Sequence, residues 1–115
     1  MMLRLIPTLK DYIWGGCKLK SLYGREGGEK ISESWEVSVH PDGPSKLENG
    51  GTLAQYLQGR PEAVSPKGGE LPVLIKYIDA ADNLSVQVHP CDEYARKYEN
   101  DNGKTEMWYI VQADE

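Results

Sequence analysis

Two polar segments in the second half of the chain combine residue types that can hold a metal ion. They are Gln87-Val-His89-Pro90 and Gly103-Lys-Thr-Glu106-Met-Trp-Tyr-Ile110. Side chains two positions apart on a strand lie on one face, so Gln87 and His89 are predicted to point in one direction. The same spacing puts Glu106 and Trp108 on one face. An imidazole with oxygen ligands suits a divalent ion of the zinc type. Spacing alone leaves open an alternative in which these are ordinary polar surface residues.

Two lysines stand where they could act on a substrate. Lys104 lies two residues before Glu106 and would share its face on a strand; the alternative is a solvated lysine that follows a turn. Lys76 lies inside an apolar run, where an unpaired ammonium is costly. The alternative for Lys76 is a structural ion pair with Asp79 or Glu36.

Length and charge restrict the class of protein. The chain has 115 residues, which suits one domain, and a net charge of −5 without a basic run. We therefore expect no nucleic-acid partner and no membrane surface, while a phosphorylated small molecule needs only one or two local cations. No apolar stretch of about 18 residues is present, so no transmembrane helix is expected. Cys17 and Cys91 show no metal-type pairing, which indicates free thiols in the cytoplasm, and Cys91 is expected to be a small buried apolar residue.

The elements that must position these residues are predicted to be mostly strands with a few short helices. Alternation and apolar runs predict strands at 3–6, 33–40, 73–78, 84–89 and 107–111, and the strand at 73–78 is expected to be buried. A helix is predicted over Leu53–Gln58, with Thr52 as its N-cap and Gly59 at its end. A second helix is predicted over 93–98, with Asp92 as its cap. Turns or loops are predicted at 11–16, which carries Trp14, and at 24–30, 61–69 and 100–103.

Several longer motifs resemble type I mannose-6-phosphate isomerases, and most closely the short bacterial form of that family. The motifs are Asp11-Tyr-Ile-Trp-Gly-Gly16, Glu33-Ser-Trp-Glu-Val-Ser38, Pro72-Val-Leu-Ile-Lys-Tyr-Ile-Asp-Ala80, Asn83-Leu-Ser-Val-Gln-Val-His-Pro-Cys-Asp-Glu-Tyr-Ala95 and Gly103-Lys-Thr-Glu-Met-Trp-Tyr-Ile110. They occur in the family's order over nearly the whole chain. The resemblance implies a mainly β, cupin-type jelly-roll barrel. Because family members are usually much longer, residues 1–115 are expected to form a single domain that is the N-terminal, metal-site portion.

The resemblance also assigns roles to individual residues. It implies one Zn²⁺ per site, held by Gln87, His89 and Glu106, with a further histidine from the second half of the family's sequence. It implies that Lys104 and Lys76 are catalytic, and that both also bind substrate. Trp14 is expected to bind substrate as a wall of the cavity.

Three functions are compatible with this interpretation. The first is zinc-dependent interconversion of mannose 6-phosphate and fructose 6-phosphate, with the chain alone inactive or weakly active. The second is a non-catalytic, cupin-like module that binds sugar phosphates or regulates. The third is a metal-free structural fragment that forms a homo-oligomer through an exposed strand at 107–111.

Overall fold

The computed structural model of the chain describes residues 2–65 and 68–114. They fall into two compact units, Met1–Leu84 and Ser85–Glu115. Residues 66 and 67 of the predicted loop at 61–69 lie outside the described residues. None of the described helices is long and apolar enough to cross a membrane.

The first unit is built on short antiparallel strands. The strands are β1 (Leu5–Ile6), β2 (Thr8–Lys10), β3 (Glu33–Val37), β4 (Lys46–Leu47) and β5 (Ile75–Ile78). Strand β1 pairs with β4, while β2, β3 and β5 form a three-stranded sheet in that order. The predicted strands at 3–6 and 33–40 are therefore confirmed in shorter form. The mainly β architecture is confirmed too, although the described strands form open sheets and do not close a barrel.

The helices of the first unit begin and end at local sequence signals. Helix α1 is Lys18–Tyr23 and ends at Gly24, whose φ of 62° is a left-handed conformation that favours glycine. The sequence analysis did not predict α1. Helix α2 is Leu53–Gln58, as predicted: the Thr52 side chain accepts from the Gln55 amide, and the Gln55 side chain accepts from the Thr52 amide. A 3₁₀ helix follows at Pro61–Ala63.

The core of the first unit lies around the central strand β3. Its buried apolar side chains are Leu19, Ile31, Trp35, Leu47 and Leu53. Four serines are fully buried beside them, at positions 32, 34, 38 and 45. Their hydroxyls are hydrogen-bonded, and no buried side-chain donor or acceptor of the described residues lacks a partner.

The predicted strand at 73–78 is confirmed in shorter form as β5, but the prediction that it is buried is wrong, because β5 is half open to solvent. Ile75 is 52% exposed and Tyr77 is 39% exposed. Among the described residues β5 pairs on one side only, with β3. A continuous apolar run is typical of a strand covered on both faces, but the sequence does not show which neighbours cover it.

The second unit contains one helix in two parts. Helix α3 is Asp92–Tyr94, and a π-helical turn, Ala95–Glu99, continues it to Asn100, which is left-handed with φ of 53°. The predicted helix is confirmed, but its predicted cap is wrong. Cys91 occupies the N-cap position, while the Asp92 carboxylate accepts from the Gly103 amide at 2.9 Å and from Arg96 at 3.3 Å.

The predicted strands at 84–89 and 107–111 are wrong: both segments are described, and neither is a strand. Val86 is 99% exposed and Val88 is 89% exposed, so they form no buried apolar face. Met107 is 90% exposed. Alternation identifies a segment that suits a sheet, but a ladder also needs a neighbouring strand at the right register.

Candidate metal site

Glu106 is the centre of a polar cluster in the second unit. Its Oε2 atom lies 3.4 Å from Nε2 of His89 and 2.9 Å from Nζ of Lys104. Its Oε1 atom accepts a hydrogen bond of 2.6 Å from the indole nitrogen of Trp108. The structure therefore brings together three residues that the sequence analysis selected, namely His89, Lys104 and Glu106.

A close backbone approach holds the two segments of this cluster side by side. The Gly103 amide donates to the Asp92 carboxylate, and the Lys104 amide donates to the Pro90 carbonyl at 3.3 Å. A Cβ atom at Gly103 would overlap the Asp92 nitrogen and would come within 2.6 Å of the Cys91 carbonyl carbon. Only glycine fits this contact without a shift of the backbone. Residues 103–108 are thus anchored directly beside the segment that carries His89.

The cluster is partly shielded from solvent and favours an ionised carboxylate. The exposed fraction of the side chain is 25% for Glu106, 27% for His89 and 44% for Lys104. The hydrogen bond from Lys104, with a second from Trp108, lowers the pKa of Glu106 from 4.5 to about 2. Glu106 is therefore a carboxylate at neutral pH, which is the form that binds a metal ion.

The spacing of His89 and Glu106 fits a zinc ion. Tetrahedral zinc with bonds of about 2.0–2.1 Å places two ligand atoms roughly 3.3–3.4 Å apart. The Nε2 atom of His89 and the Oε2 atom of Glu106 are 3.4 Å apart. An imidazole and a carboxylate are also ligand types that zinc prefers. These two residues could hold one ion as part of its ligand set.

Gln87 is close in sequence to this pair, and its amide is oriented by a serine. Its Nε2 atom donates to the Ser85 hydroxyl at 3.1 Å, which leaves the amide oxygen as the atom that could meet a metal. No hydrogen bond joins Gln87 to His89 or Glu106 in the described part of the chain. Within residues 2–65 and 68–114, no three His, Cys, Asp or Glu side chains are placed for one ion. The candidate ligand set is thus an imidazole and a carboxylate, with the amide as its third candidate member.

Cys91 does not behave as the buried apolar residue that the sequence analysis expected. Its thiol is free and exposed, as is that of Cys17. Cys91 occupies the N-cap position of α3, but its thiol makes no capping hydrogen bond.

Lys76 belongs to a different cluster, in the first unit. Its Nζ atom lies 3.2 Å from both carboxylate oxygens of Glu33, whose side chain is only 7% exposed. The indole nitrogen of Trp35 donates to the same carboxylate at 2.6 Å, and the Lys76 ammonium lies 5.8 Å from the centre of the Trp35 ring. The charge of Lys76 is therefore balanced inside the sheet.

The two ion-pair partners considered for Lys76 were wrong. The Asp79 carboxylate accepts from the Lys18 amide at 2.6 Å. Glu36 is paired with the guanidinium of Arg25 at 2.8 Å. Both carboxylates are thus engaged by other groups, and the partner of Lys76 is Glu33.

Trp14 lies in the predicted turn at 11–16, which the structure confirms. The Gly15 amide donates to the Tyr12 carbonyl at 2.9 Å, and the half-buried ring of Trp14 lies 5.7 Å from that of Tyr12. The Trp14 carbonyl accepts from the Ala81 amide at 2.9 Å. These contacts fix the turn, and a substrate role for the ring stays a prediction.

Two contacts of the site were missed by the sequence analysis. The indole of Trp108 binds Glu106, and the hydroxyl of Ser85 binds Gln87. Both partners stand two positions from a predicted ligand. That spacing was the available signal, because side chains two apart lie on one face of extended chain.

Comparison with known proteins supports the family resemblance of the sequence motifs. The model of the family described as phosphomannose isomerase type I, catalytic domain, matches residues 2–113. The chain belongs to this family. A Bacillus subtilis relative named probable mannose-6-phosphate isomerase GmuF is 45% identical over 114 residues, which are 93% of this chain and 36% of that protein. The family resemblance drawn from the sequence is confirmed.

Two solved structures extend the comparison to the fold. The crystal structure of mannose 6-phosphate isomerase from Bacillus subtilis matches with a TM-score of 0.88 and 34% identity, over 97% of this chain and 38% of that one. A crystal structure of mannose 6-phosphate isomerase bound with zinc and yttrium matches with a TM-score of 0.71 and 32% identity, over 86% and 28%. The chain thus spans a little over a third of the length of the Bacillus subtilis relative GmuF, and less of the zinc-bound structure.

Proposed function

We propose that this chain supplies the zinc-binding part of an active site that interconverts mannose 6-phosphate and fructose 6-phosphate. The observation that carries the proposal is the cluster of His89, Lys104 and Glu106 in a chain of the type I family. The solved structure bound with zinc and yttrium supports zinc as the metal. His89 and Glu106 would hold the ion, with Gln87 as a third ligand and one ion per site.

The proposed reaction moves a proton between adjacent sugar carbons through an enediol-like intermediate. When bound, zinc supplies a Lewis acid that polarises sugar oxygens. Lys104 is the chain's candidate for moving the proton, because its Nζ atom lies 2.9 Å from the metal-binding oxygen of Glu106 and its side chain is 44% exposed. Glu106 holds that ammonium in place, and substrate can still reach it.

Lys76 and Trp14 are proposed to bind the substrate. An ammonium has three donors, and Lys76 directs two of them to the oxygens of Glu33, so a third can meet a hydroxyl or phosphate oxygen. Glu33 would then act as the clamp that fixes this third donor. We assign Lys76 a catalytic role through this contact, and Trp14 a role as a wall of the cavity.

The proposal also covers the partner, the cellular compartment and the domain organisation. The partner is a small sugar phosphate, not a nucleic acid or a membrane. The site of action is the cytoplasm, in keeping with the free thiols of Cys17 and Cys91. Residues 1–115 form the N-terminal metal-site domain. A homo-oligomer through residues 107–111 stays a prediction.

The test is a zinc titration by calorimetry of the 115-residue chain and of His89→Ala. We expect binding of one ion per chain that His89→Ala abolishes. His40→Ala is the matched control, since His40 is the other of the chain's two histidines and lies in the first unit. Zinc binding that is unchanged in His89→Ala contradicts the site.

Activity is then measured on the zinc-loaded chain, alone and fused to the part of the Bacillus subtilis relative GmuF that it does not match. The proposal expects turnover of mannose 6-phosphate in the fusion, with loss on chelation and in His89→Ala. Binding of mannose 6-phosphate without turnover in the fusion would instead support the non-catalytic sugar-phosphate module.

A further inference from the structure

The two oxygens of Glu106 have different partners. Oε1 accepts only the indole N–H of Trp108, at 2.6 Å, among the described residues. Oε2 faces the ammonium of Lys104 and the imidazole of His89. The terminal torsion of a glutamate is broad, so a free carboxylate would exchange these two oxygens by rotation. The short indole bond opposes that rotation.

We infer that Trp108 is a positioning residue that sets which oxygen of Glu106 is presented to a metal ion beside His89. The inference rests on the proposed zinc site and adds a residue to it. An indole nitrogen donates but does not accept, so Trp108 can bind the carboxylate and cannot itself become a ligand. It holds one oxygen and leaves the other available.

The surroundings of Trp108 favour this role over a packing role. The residue is 52% exposed, and its indole makes one hydrogen bond, to Glu106, with no ring or cation stacked on it in the described part of the chain. Groups that orient metal ligands commonly change metal affinity by about 10–100-fold when they are removed.

Two substitutions at this position separate the donor from the ring. Trp108→Phe keeps an aromatic ring and removes the N–H. Trp108→Gln removes the ring and keeps an N–H donor at the same number of bonds from Cβ. If the indole positions Glu106, zinc affinity falls by about 10–100-fold in Trp108→Phe, and Trp108→Gln recovers most of the loss. A packing role predicts the reverse order.

The experiment measures zinc affinity by competition with a chromophoric chelator on the full 115-residue chain, with circular dichroism as the check of folding. Tyr109→Phe is the control, because the neighbouring residue is 84% exposed and has no described contact with the cluster. The visible spectrum of bound Co²⁺ gives a second readout. It is expected to change in Trp108→Phe and to stay as in the wild type in Tyr109→Phe.

The outcomes distinguish this inference from the proposed site. Trp108→Phe with wild-type zinc affinity and an unchanged Co²⁺ spectrum overturns the inference, while loss of binding in His89→Ala in the same series leaves the site standing. A wild-type chain that binds neither ion overturns both. Weaker binding in Trp108→Phe with recovery in Trp108→Gln supports the positioning role.

Discussion

The two units each contain a glutamate, a tryptophan two residues later and a lysine, arranged around one carboxylate. In the first unit the residues are Glu33, Trp35 and Lys76; in the second they are Glu106, Trp108 and Lys104. In both, the indole donates to the carboxylate at 2.6 Å. The clusters differ in burial, since the side chain is 7% exposed for Glu33 and 25% for Glu106.

The difference in burial accompanies a difference in what each carboxylate can still bind. Both oxygens of Glu33 are taken by Lys76, at 3.2 Å each. In Glu106 the ammonium of Lys104 uses one oxygen, and that same oxygen lies 3.4 Å from an imidazole. The same residue types therefore make a carboxylate with both oxygens bound to one ammonium in the first unit, and a carboxylate with one oxygen beside both an ammonium and an imidazole in the second unit. The partners around the carboxylate, and not the Glu-x-Trp pattern, separate the two roles.

The largest expected effect is on folding stability, at Glu33. Glu33→Ala leaves the ammonium of Lys76 and the indole N–H of Trp35 without their partner. Breaking a buried pair costs about 3–5 kcal/mol, and we expect about 2–3 kcal/mol here because the Lys76 side chain is 21% exposed. Urea unfolding measures this change in free energy of unfolding.

Glu106→Ala is the matched variant for the comparison. We expect it to lower the free energy of unfolding by less than about 1 kcal/mol, because its ion pair is partly solvated. The comparison breaks if the two variants destabilise the chain equally.

The second expected effect is at Gly103, which lies against the segment that carries His89 and begins the segment that carries Lys104 and Glu106. Gly103→Ala forces a Cβ atom into the backbone of residues 91 and 92. Such overpacking costs about 1–3 kcal/mol, and it would move Lys104 and Glu106 away from His89. We expect both a lower midpoint of urea unfolding and weaker zinc binding.

Gly59→Ala is the control for this substitution. A Cβ atom at Gly59 meets nothing within 4 Å, and its φ of −88° suits any residue. If Gly103→Ala binds zinc as the wild type does, the close approach is not what positions the cluster.

Local chemistry explains which elements could be predicted from the sequence. Helix α2 was correct at both ends, because Thr52, Gln55 and Gly59 satisfy its ends from within a few residues. The predicted strands at 84–89 and 107–111 were wrong because a strand depends on a neighbour distant in sequence. The family resemblance brought His89, Lys104 and Glu106 into one site without requiring those strands.

The partner of Lys76 shows the limit that strand register imposes. In the ladder between β3 and β5, Trp35 lies opposite Lys76, and Glu33 lies opposite Ile78. Glu33 and Lys76 are therefore diagonal neighbours on one face of the sheet, within reach of long side chains. The sequence analysis instead considered Asp79 and Glu36 as partners. The register that brings Glu33 beside Lys76 cannot be obtained from the sequence of either strand alone.

The smallest expected effect sharpens the comparison through pH. The pKa of Glu106 falls from 4.5 to about 2, first because Lys104 donates a hydrogen bond to it. A carboxylate whose folded pKa is lowered stabilises the fold above its unfolded pKa, and this contribution is lost as pH falls from about 4.5 towards 2.

Lys104→Met removes the main cause of the lowered pKa of Glu106. We therefore expect Lys104→Met to be less stable than the wild type at pH 6, by up to about 1 kcal/mol, and the gap to narrow steadily between pH 4.5 and pH 3. Urea unfolding across this range measures the gap, and Lys97→Met, whose ammonium lies over the Tyr98 ring and not beside Glu106, is the control. A difference in stability that stays constant as the pH falls would mean that Lys104 stabilises the chain by packing. Charge would then not hold His89, Lys104 and Glu106 together.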